Sequence, residues 1–243
     1  MARRDNPALE LIRLQDELTA TPGWVQLQFL RSLERSARIL HENAAELRAP
    51  LRFWADPRQS LRLRAVENRH ELGEFQEELD RLLLNFVAST KSLVDHTRII
   101  INESVPDDEG YQAEVVRLFG DGSAVFVQNL RNYVLHVGLA PQFLRSTHSR
   151  EEFTGQMVLD RERLKSWSRW PAAARTWLEG QSDDIDVLAL LDDYEARVIA
   201  LSSWLDARIR SVHREALAVT QDLAREHDEL LAATFPETRP RQG

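Results

Sequence analysis

The chain has 243 residues, of which 43% are hydrophobic and 29% charged, with nine glycines and nine prolines. This composition is typical of one folded globular domain and excludes a largely disordered protein. Cysteine is absent, which excludes disulfides, thiolate metal sites and a cysteine nucleophile and favours a cytoplasmic location. The net charge of −8 argues against a broad surface that binds nucleic acid non-specifically, although a local basic cleft is compatible with it.

Helical periodicity dominates the first hundred residues. We expect a helix over 7–19 and a second helix over 22–49, each of which starts at a proline behind a capping residue. Pro50 and Pro57 are expected to bracket a short irregular connection. The range 60–104 lacks proline and predicts a single long helix or two nearly coaxial helices. No apolar stretch reaches the roughly 18 residues that a membrane helix needs, so we expect no membrane association.

The second half of the chain mixes helices with a different pattern. A turn over 120–123 is expected to cap a helix over 123–137, which Gly138 and Pro141 then close. Around 143–159, β-branched and aromatic residues flank a polar turn and predict a small β-hairpin. The other expected elements are short helices over 111–119, 161–167 and 171–179, a long helix over 183–233, and a disordered tail over 235–243.

These elements predict an all-α fold. Long helices with apolar stripes and short links form antiparallel bundles. We therefore expect a single helical domain over residues 1–234, with additional helices at both ends and the β-hairpin as an insertion near 143–159.

The helix over 123–137 carries the most informative polar residues. Asn129, Asn132 and His136 fall at i, i+3 and i+7 and form a polar row along one flank. Arg131 lies on the other flank, and its long side chain must reach round the helix. Leu135 points away from the core. The expected core face consists of Phe126, Leu130, Tyr133, Val134 and Val137.

At Arg131-Asn132…His136 the sequence resembles the HEPN superfamily. The hallmark of that family is an arginine, an adjacent polar residue, and a histidine separated from the arginine by four to six residues, and here four residues intervene. The all-α bundle and the position of the motif near the end of a core helix agree with the family. The resemblance implies a metal-independent endoribonuclease, related to toxins or defence, in which two motifs meet across a homodimer. It also implies RNA as the substrate, no cofactor or metal, and an antitoxin or nucleotidyltransferase as a further partner.

The residue roles that the resemblance implies are chemically reasonable. His136 would act as general acid and base, because an imidazole exchanges a proton near neutral pH. Arg131 would stabilise the charge of the transition state, and Asn132 would position the ribose or the histidine.

Asn129, His96 and Arg98 are candidate supporting residues. Thr97 falls on the core stripe of its helix and is flanked by His96 and Arg98, so His96 would approach His136 if the two helices pack antiparallel. The alternative is a boundary histidine whose hydrogen-bond partner is Asp95 or a backbone group.

Three other arginine and histidine pairs have similar spacing. Arg208 and His213 also have four intervening residues, and the pairs Arg35…His41 and Arg64…His70 have five. Only the Arg131 version combines the polar neighbour with a preceding glycine turn and a following Gly-Leu-Ala-Pro stop.

Two alternative functions remain open at the sequence level. One is a catalytically inactive interaction or scaffold protein of the same fold, in which Arg131 and His136 make structural hydrogen bonds. The other is a sensor of a small ligand or nucleotide that binds in a cleft between helices. Apart from the row of Asn129, Asn132 and His136, no convergent polar set is visible for such a ligand.

Overall fold

The computed structural model describes residues 6–106, 108–148 and 153–236. Within these ranges the chain folds into ten α-helices, one 3-10 turn (Val66–Asn68) and three short strands. The helices are α1 (Pro7–Ala20), α2 (Pro22–Ala55), α3 (Pro57–Arg64), α4 (Arg69–Ser104), α5 (Glu109–Phe119), α6 (Gly122–His136), α7 (Arg161–Lys165), α8 (Ala172–Gly180), α9 (Val187–Val212) and α10 (Arg214–Thr234). The strands are β1 (Gln142–His148), β2 (Phe153–Leu159) and β3 (Ile185–Asp186). The predicted disordered tail lies outside the described residues from residue 237 onward.

Side-chain caps determine where most of these helices begin. In each case an oxygen of the capping side chain accepts a hydrogen bond from a backbone N–H of the first turn, which satisfies a donor that has no partner within the helix. The predicted starts at Pro7 and Pro22 are confirmed. The capping residues are Asn6, Thr21, Asp56, Asp108, Asp121, Asp160 and Asp186.

The long helices form the predicted antiparallel bundle around α2, which packs against α4, α9 and α10. Ser104 at the end of α4 donates a hydrogen bond to Gln26 near the start of α2 (2.5 Å), so the two helices run in opposite directions. On its other side, Arg48 near the end of α2 binds Asp192 near the start of α9 (2.8 Å). In the described part of the chain, no helix combines the length and apolar character needed to cross a membrane.

The interruption predicted at Pro50 is wrong, because α2 continues through this residue to Ala55. A proline inside a helix removes a backbone donor and costs about 3 kcal/mol or more. Leu47, Leu51 and Trp54 follow one another on the buried face of α2 around Pro50 and are at most 4% exposed. Burial of such side chains contributes about 1.5–3 kcal/mol each and offsets the cost.

The range 60–104, predicted as one long helix or two nearly coaxial ones, contains two helices. They are separated between Arg64 and Arg69, where Ala65 adopts an extended conformation and a 3-10 turn follows. The range 183–233, predicted as one long helix, begins with β3 and is interrupted at His213 between α9 and α10.

The predicted β-hairpin is confirmed, with β1 and β2 paired antiparallel from Gln142 opposite Leu159 to His148 opposite Phe153. The third strand was missed, because β3 has only two residues and pairs with β2 at Val158 and Leu159. A two-residue segment has no periodicity of its own, so only the tertiary structure reveals it.

Candidate functional site

Helix α6 carries the Arg131 motif and is fixed at its start. Asp121 caps the helix by accepting a hydrogen bond from the Ala124 N–H (3.0 Å). A Cβ atom on Gly122 would lie 2.3 Å from the Cβ of Trp177 and 2.5 Å from the carbonyl oxygen of Ala173. Only glycine therefore lets α6 approach α8 this closely, and the predicted glycine turn also has a packing role.

The core face of α6 packs on tryptophans from the segment that includes α7 and α8. Phe126 lies 5.0 Å from Trp170 and 5.1 Å from Trp177, measured between ring centroids. Tyr133 stacks on Trp170 at 5.8 Å. Aromatic contacts of this kind stabilise a packed core beyond simple burial. The helix therefore presents its polar residues from a rigid support.

The end of α6 departs slightly from the prediction. The helix ends at His136, and Val137 caps it by donating its N–H to the carbonyl of Tyr133 (2.8 Å). Gly138 has a φ of +144°, a conformation that strongly favours glycine. The chain leaves the helix there, so Val137 is 54% exposed and its predicted place on the core face is wrong. Leu139 is also 60% exposed.

The polar row of α6 is partly linked by hydrogen bonds. The Asn129 amide donates to the carbonyl of Val125 (2.8 Å), and the Asn132 amide donates to the Asn129 Oδ1 (3.2 Å). These bonds hold both asparagine side chains in place. His136 follows on the same flank, is exposed, and makes no hydrogen bond or ion pair with a described residue.

Arg131 is half-buried and lies near Asp95 of α4. It forms no hydrogen bond or ion pair within the described ranges. The nearby Asp95 carboxylate has a lowered pKa, chiefly because Lys91 donates a hydrogen bond to it (2.5 Å), with added attraction from Arg98 and Arg131. A helix turns about 100° per residue, so Arg131 and His136 project about 140° apart.

The candidate supporting residues of α4 have other neighbours. A hydrogen bond of 2.8 Å joins His96 to the Ser36 hydroxyl of α2, so the structure pairs His96 with α2 rather than with His136. The alternative partners, Asp95 or a backbone group, are not used either. Arg98 lines a cavity between α4, α5, α6 and α9, which sequence reasoning missed.

The second pair with four intervening residues is fully engaged in structural contacts. Arg208 forms an ion pair of 2.6 Å with Asp108, the cap of α5. His213 donates from Nε2 to the carbonyl of Ser104 at the end of α4 (2.8 Å). Both side chains therefore hold elements of the bundle together.

The two pairs with five intervening residues also make contacts. His41 binds the Glu195 carboxylate, and Arg64 donates to the carbonyl of Leu144 (3.2 Å). Arg35 donates to the carbonyl of Arg31 within its own helix (3.4 Å), and His70 has only an exposed ion-pair contact with Glu74 (3.5 Å). Of the four pairs, only Arg131 and His136 have no hydrogen-bond or ion-pair partner among the residues that the structure describes.

A charged network between α2 and α9 was not foreseen. The buried carboxylate of Glu195 accepts a hydrogen bond from Arg48 and lies against the ring of His41, while Asp192 accepts two more from Arg48 (2.8 and 2.9 Å). Every member is paired, so the network is a contact between helices rather than a reactive site. The partners are more than 140 residues apart, and no local pattern indicates them.

Across residues 6–106, 108–148 and 153–236, no group of three or more histidine, aspartate or glutamate side chains is arranged to hold a metal ion.

Comparison with known proteins adds no relative. No family model matches the chain, and neither the curated proteins nor the solved structures contain a match to it.

Proposed function

We propose that the chain is a metal-independent endoribonuclease in which His136 and Arg131 are the reacting side chains and Asn132 is a positioning residue. The observation that carries this proposal is that Arg131 and His136 alone, among the four pairs of similar spacing, are both without a structural partner in the described residues. Their rigid helix presents them, and their hydrogen-bonding groups stay available to a substrate. The resemblance of the motif to the HEPN superfamily supports the same chemistry.

The reaction follows from the chemistry of these groups. A His136 imidazole accepts the proton of a ribose 2′-hydroxyl, whose oxygen then forms a bond to the adjacent phosphorus. The bond from phosphorus to the 5′-oxygen breaks, and a second imidazole donates a proton to that leaving oxygen. Arg131 stabilises the charge on the phosphate oxygens in the transition state. The products are a 2′,3′-cyclic phosphate and a 5′-hydroxyl.

Two copies of the chain would form the complete site. The reaction uses two imidazoles and each copy supplies one His136, so the two His136 side chains would meet at one phosphate, which Arg131 would reach with its long side chain. Leu135, Val137 and Leu139, next to His136, are 57%, 54% and 60% exposed. Exposed apolar side chains in such a group are typical of protein contact surfaces and support a homodimer at this end of α6.

The experiment is cleavage of an end-labelled, mixed-sequence RNA in excess chelator by the native chain, His136→Ala and Arg131→Ala. We expect the native chain to produce cyclic phosphate ends. Each variant should reduce the rate at least about 100-fold, which is the usual contribution of a general acid or base. Cleavage that requires a divalent metal, or that persists in His136→Ala, would contradict the proposal.

The homodimer is tested separately with Leu135→Glu. A carboxylate in the apolar contact should dissociate the dimer in analytical ultracentrifugation and reduce cleavage at micromolar concentration. Val116→Glu is the matched control, because Val116 is 68% exposed on α5. A native chain that is monomeric and cleaves RNA would exclude the two-copy site.

A catalytically inactive interaction protein is the second candidate. The exposed Leu135, Val137 and Leu139 favour it, because they could equally receive an antitoxin or nucleotidyltransferase partner. The absence of cleavage by a native chain that unfolds cooperatively would favour this candidate.

A further inference from the structure

A cavity of about 120 Å³ lies between α4, α5, α6 and α9. An engineered protein cavity of roughly 150 Å³ holds a benzene ring, and this cavity is somewhat smaller, so it has room for a group no larger than that ring. Its apolar walls are formed by Leu93, Val94, Val115, Phe119, Val198, Leu201 and Leu205.

Several polar side chains of the cavity lining are unpaired. The hydroxyls of Thr97, Tyr111 and Ser202 make no hydrogen bond with a described residue, although Thr97 is 4% and Tyr111 8% exposed. By contrast, Ser89 and Thr90 on the same helix as Thr97 donate to carbonyls of the preceding turn (2.7 and 2.8 Å). These three hydroxyls therefore have hydrogen-bonding capacity left for a ligand.

Arg98 provides the only charge in the lining that the structure describes. It is exposed and has no ion pair with a described residue, although Asp95, already bound by Lys91, lies near it. Burial raises the pKa of Tyr194 to about 12, with Gln128 beside its hydroxyl, so both groups are neutral donors and acceptors. No aspartate or glutamate is among the described lining residues. One guanidinium and several neutral donors suit a carboxylate.

Helix α5 covers the cavity and is tied to α9 near both ends. Arg208 binds Asp108 at the start of α5 (2.6 Å), and Arg197 donates to the carbonyl of Leu118 near its end (2.7 Å). Tyr111, Val115 and Phe119 of α5 line the cavity between these ties. The fold therefore holds this cover in place through charged contacts at its edges.

We infer that this cavity binds a small monocarboxylic acid, with a planar or branched body of about six carbons between the apolar walls and its carboxylate on Arg98. The combination of a largely apolar cavity with a few convergent polar groups is typical of small-molecule sites. The site lies beyond the proposed ribonuclease function and does not depend on it.

Isothermal titration calorimetry of the native chain with benzoate, cyclohexanecarboxylate and 4-methylpentanoate tests the inference. We expect saturable, one-to-one binding of at least one of the three acids. Benzyl alcohol, which keeps the ring but lacks the charge, should bind at least about tenfold more weakly, since hydrogen bonds to charged groups are the stronger ones. Failure of all three acids to bind, or equal affinity for benzyl alcohol and benzoate, would overturn the inference.

Substitutions in the lining test whether the acid binds in this cavity. Arg98→Gln should weaken the affinity for the bound acid at least about tenfold, and Val115→Phe, which fills the cavity, should abolish binding. Arg38→Gln is the matched control, because Arg38 is exposed on α2 and does not line the cavity. Thermal unfolding checks that each variant is folded, and Ser202→Leu replaces Val115→Phe if that variant is not. Unchanged affinity in Arg98→Gln, or in a folded cavity-filling variant, would place binding elsewhere and overturn the inference.

Discussion

Arg131…His136 and Arg208…His213 have identical spacing, yet the fold uses them in opposite ways. Arg208 binds the cap of α5, and His213 binds the last carbonyl of α4. Arg131 and His136 have no such partner among the described residues. Spacing determines where two side chains leave the backbone, but the neighbouring helices determine whether their hydrogen-bonding groups are occupied. Among the described residues, the Arg131 pair keeps its hydrogen-bonding groups unoccupied and the Arg208 pair does not.

The largest expected difference between the pairs is in RNA cleavage. His136→Ala and Arg131→Ala should each lower the rate at least about 100-fold, because in the proposed reaction they remove groups that act on the reacting phosphate. His213→Ala and Arg208→Ala should retain cleavage at the native rate per folded molecule. Equal loss of cleavage in all four variants would contradict the difference between the two pairs, since the loss would then reflect a general disturbance of the fold.

The free energy of unfolding in urea should show the opposite order for the two histidines. Here the larger loss is expected for His213→Ala and the smaller for His136→Ala. His213→Ala should lower the free energy of unfolding by about 1 kcal/mol, because the carbonyl of Ser104 loses its hydrogen-bond donor. His136→Ala should change it by less than about 0.5 kcal/mol, as is usual for an exposed side chain without partners. A larger loss in His136→Ala than in His213→Ala would show that His136 has a structural role.

The last expected effect concerns the arginines and depends on pH. The hydrogen bond from Arg208 holds the pKa of Asp108 below its ordinary 3.8, so the ion pair stabilises the fold above that pH. The stabilisation by this ion pair is lost as the pH falls through the lowered pKa of Asp108. Arg208→Gln should therefore cost about 1 kcal/mol near pH 7, a value that allows for the partial exposure of Arg208. This cost should shrink below pH 3.8.

Arg131→Gln is the control for that measurement. Arg131 has no ion pair in the described structure, so the substitution should change stability by less than about 0.5 kcal/mol at every pH. Urea unfolding curves of the native chain and both variants, recorded from neutral to acidic pH, provide the comparison. A cost for Arg208→Gln that does not depend on pH would rule out Asp108 as the titrating partner.

Local signals explain the parts of the fold that could be predicted. The starts of α1 and α2, the cap of α6 at Asp121 and the hairpin of β1 and β2 follow from residues close together in the chain. The continuation of α2 through Pro50 could not be predicted in this way, because the burial that offsets the proline comes from other helices.

The candidate site likewise has features that could be predicted from the sequence and features that could not. Helical spacing predicted that Asn129 and Asn132 lie on one flank, and a hydrogen bond now joins them. It could not predict that His96 would bond to Ser36, a residue 60 positions away, or that Arg98 would line a cavity. These outcomes depend on which helices become neighbours.

By itself, the sequence determined the helical character of the chain, most of its helix starts, the hairpin and the order of polar residues along α6. Those features depend on hydrogen bonds and side-chain contacts within a few residues. The tertiary structure alone decided which polar side chains are occupied and which remain available. Partners such as Asp108 for Arg208, Glu195 for Arg48 and Ser104 for His213 lie 100 or more residues away, and only the packing of the bundle brings them together.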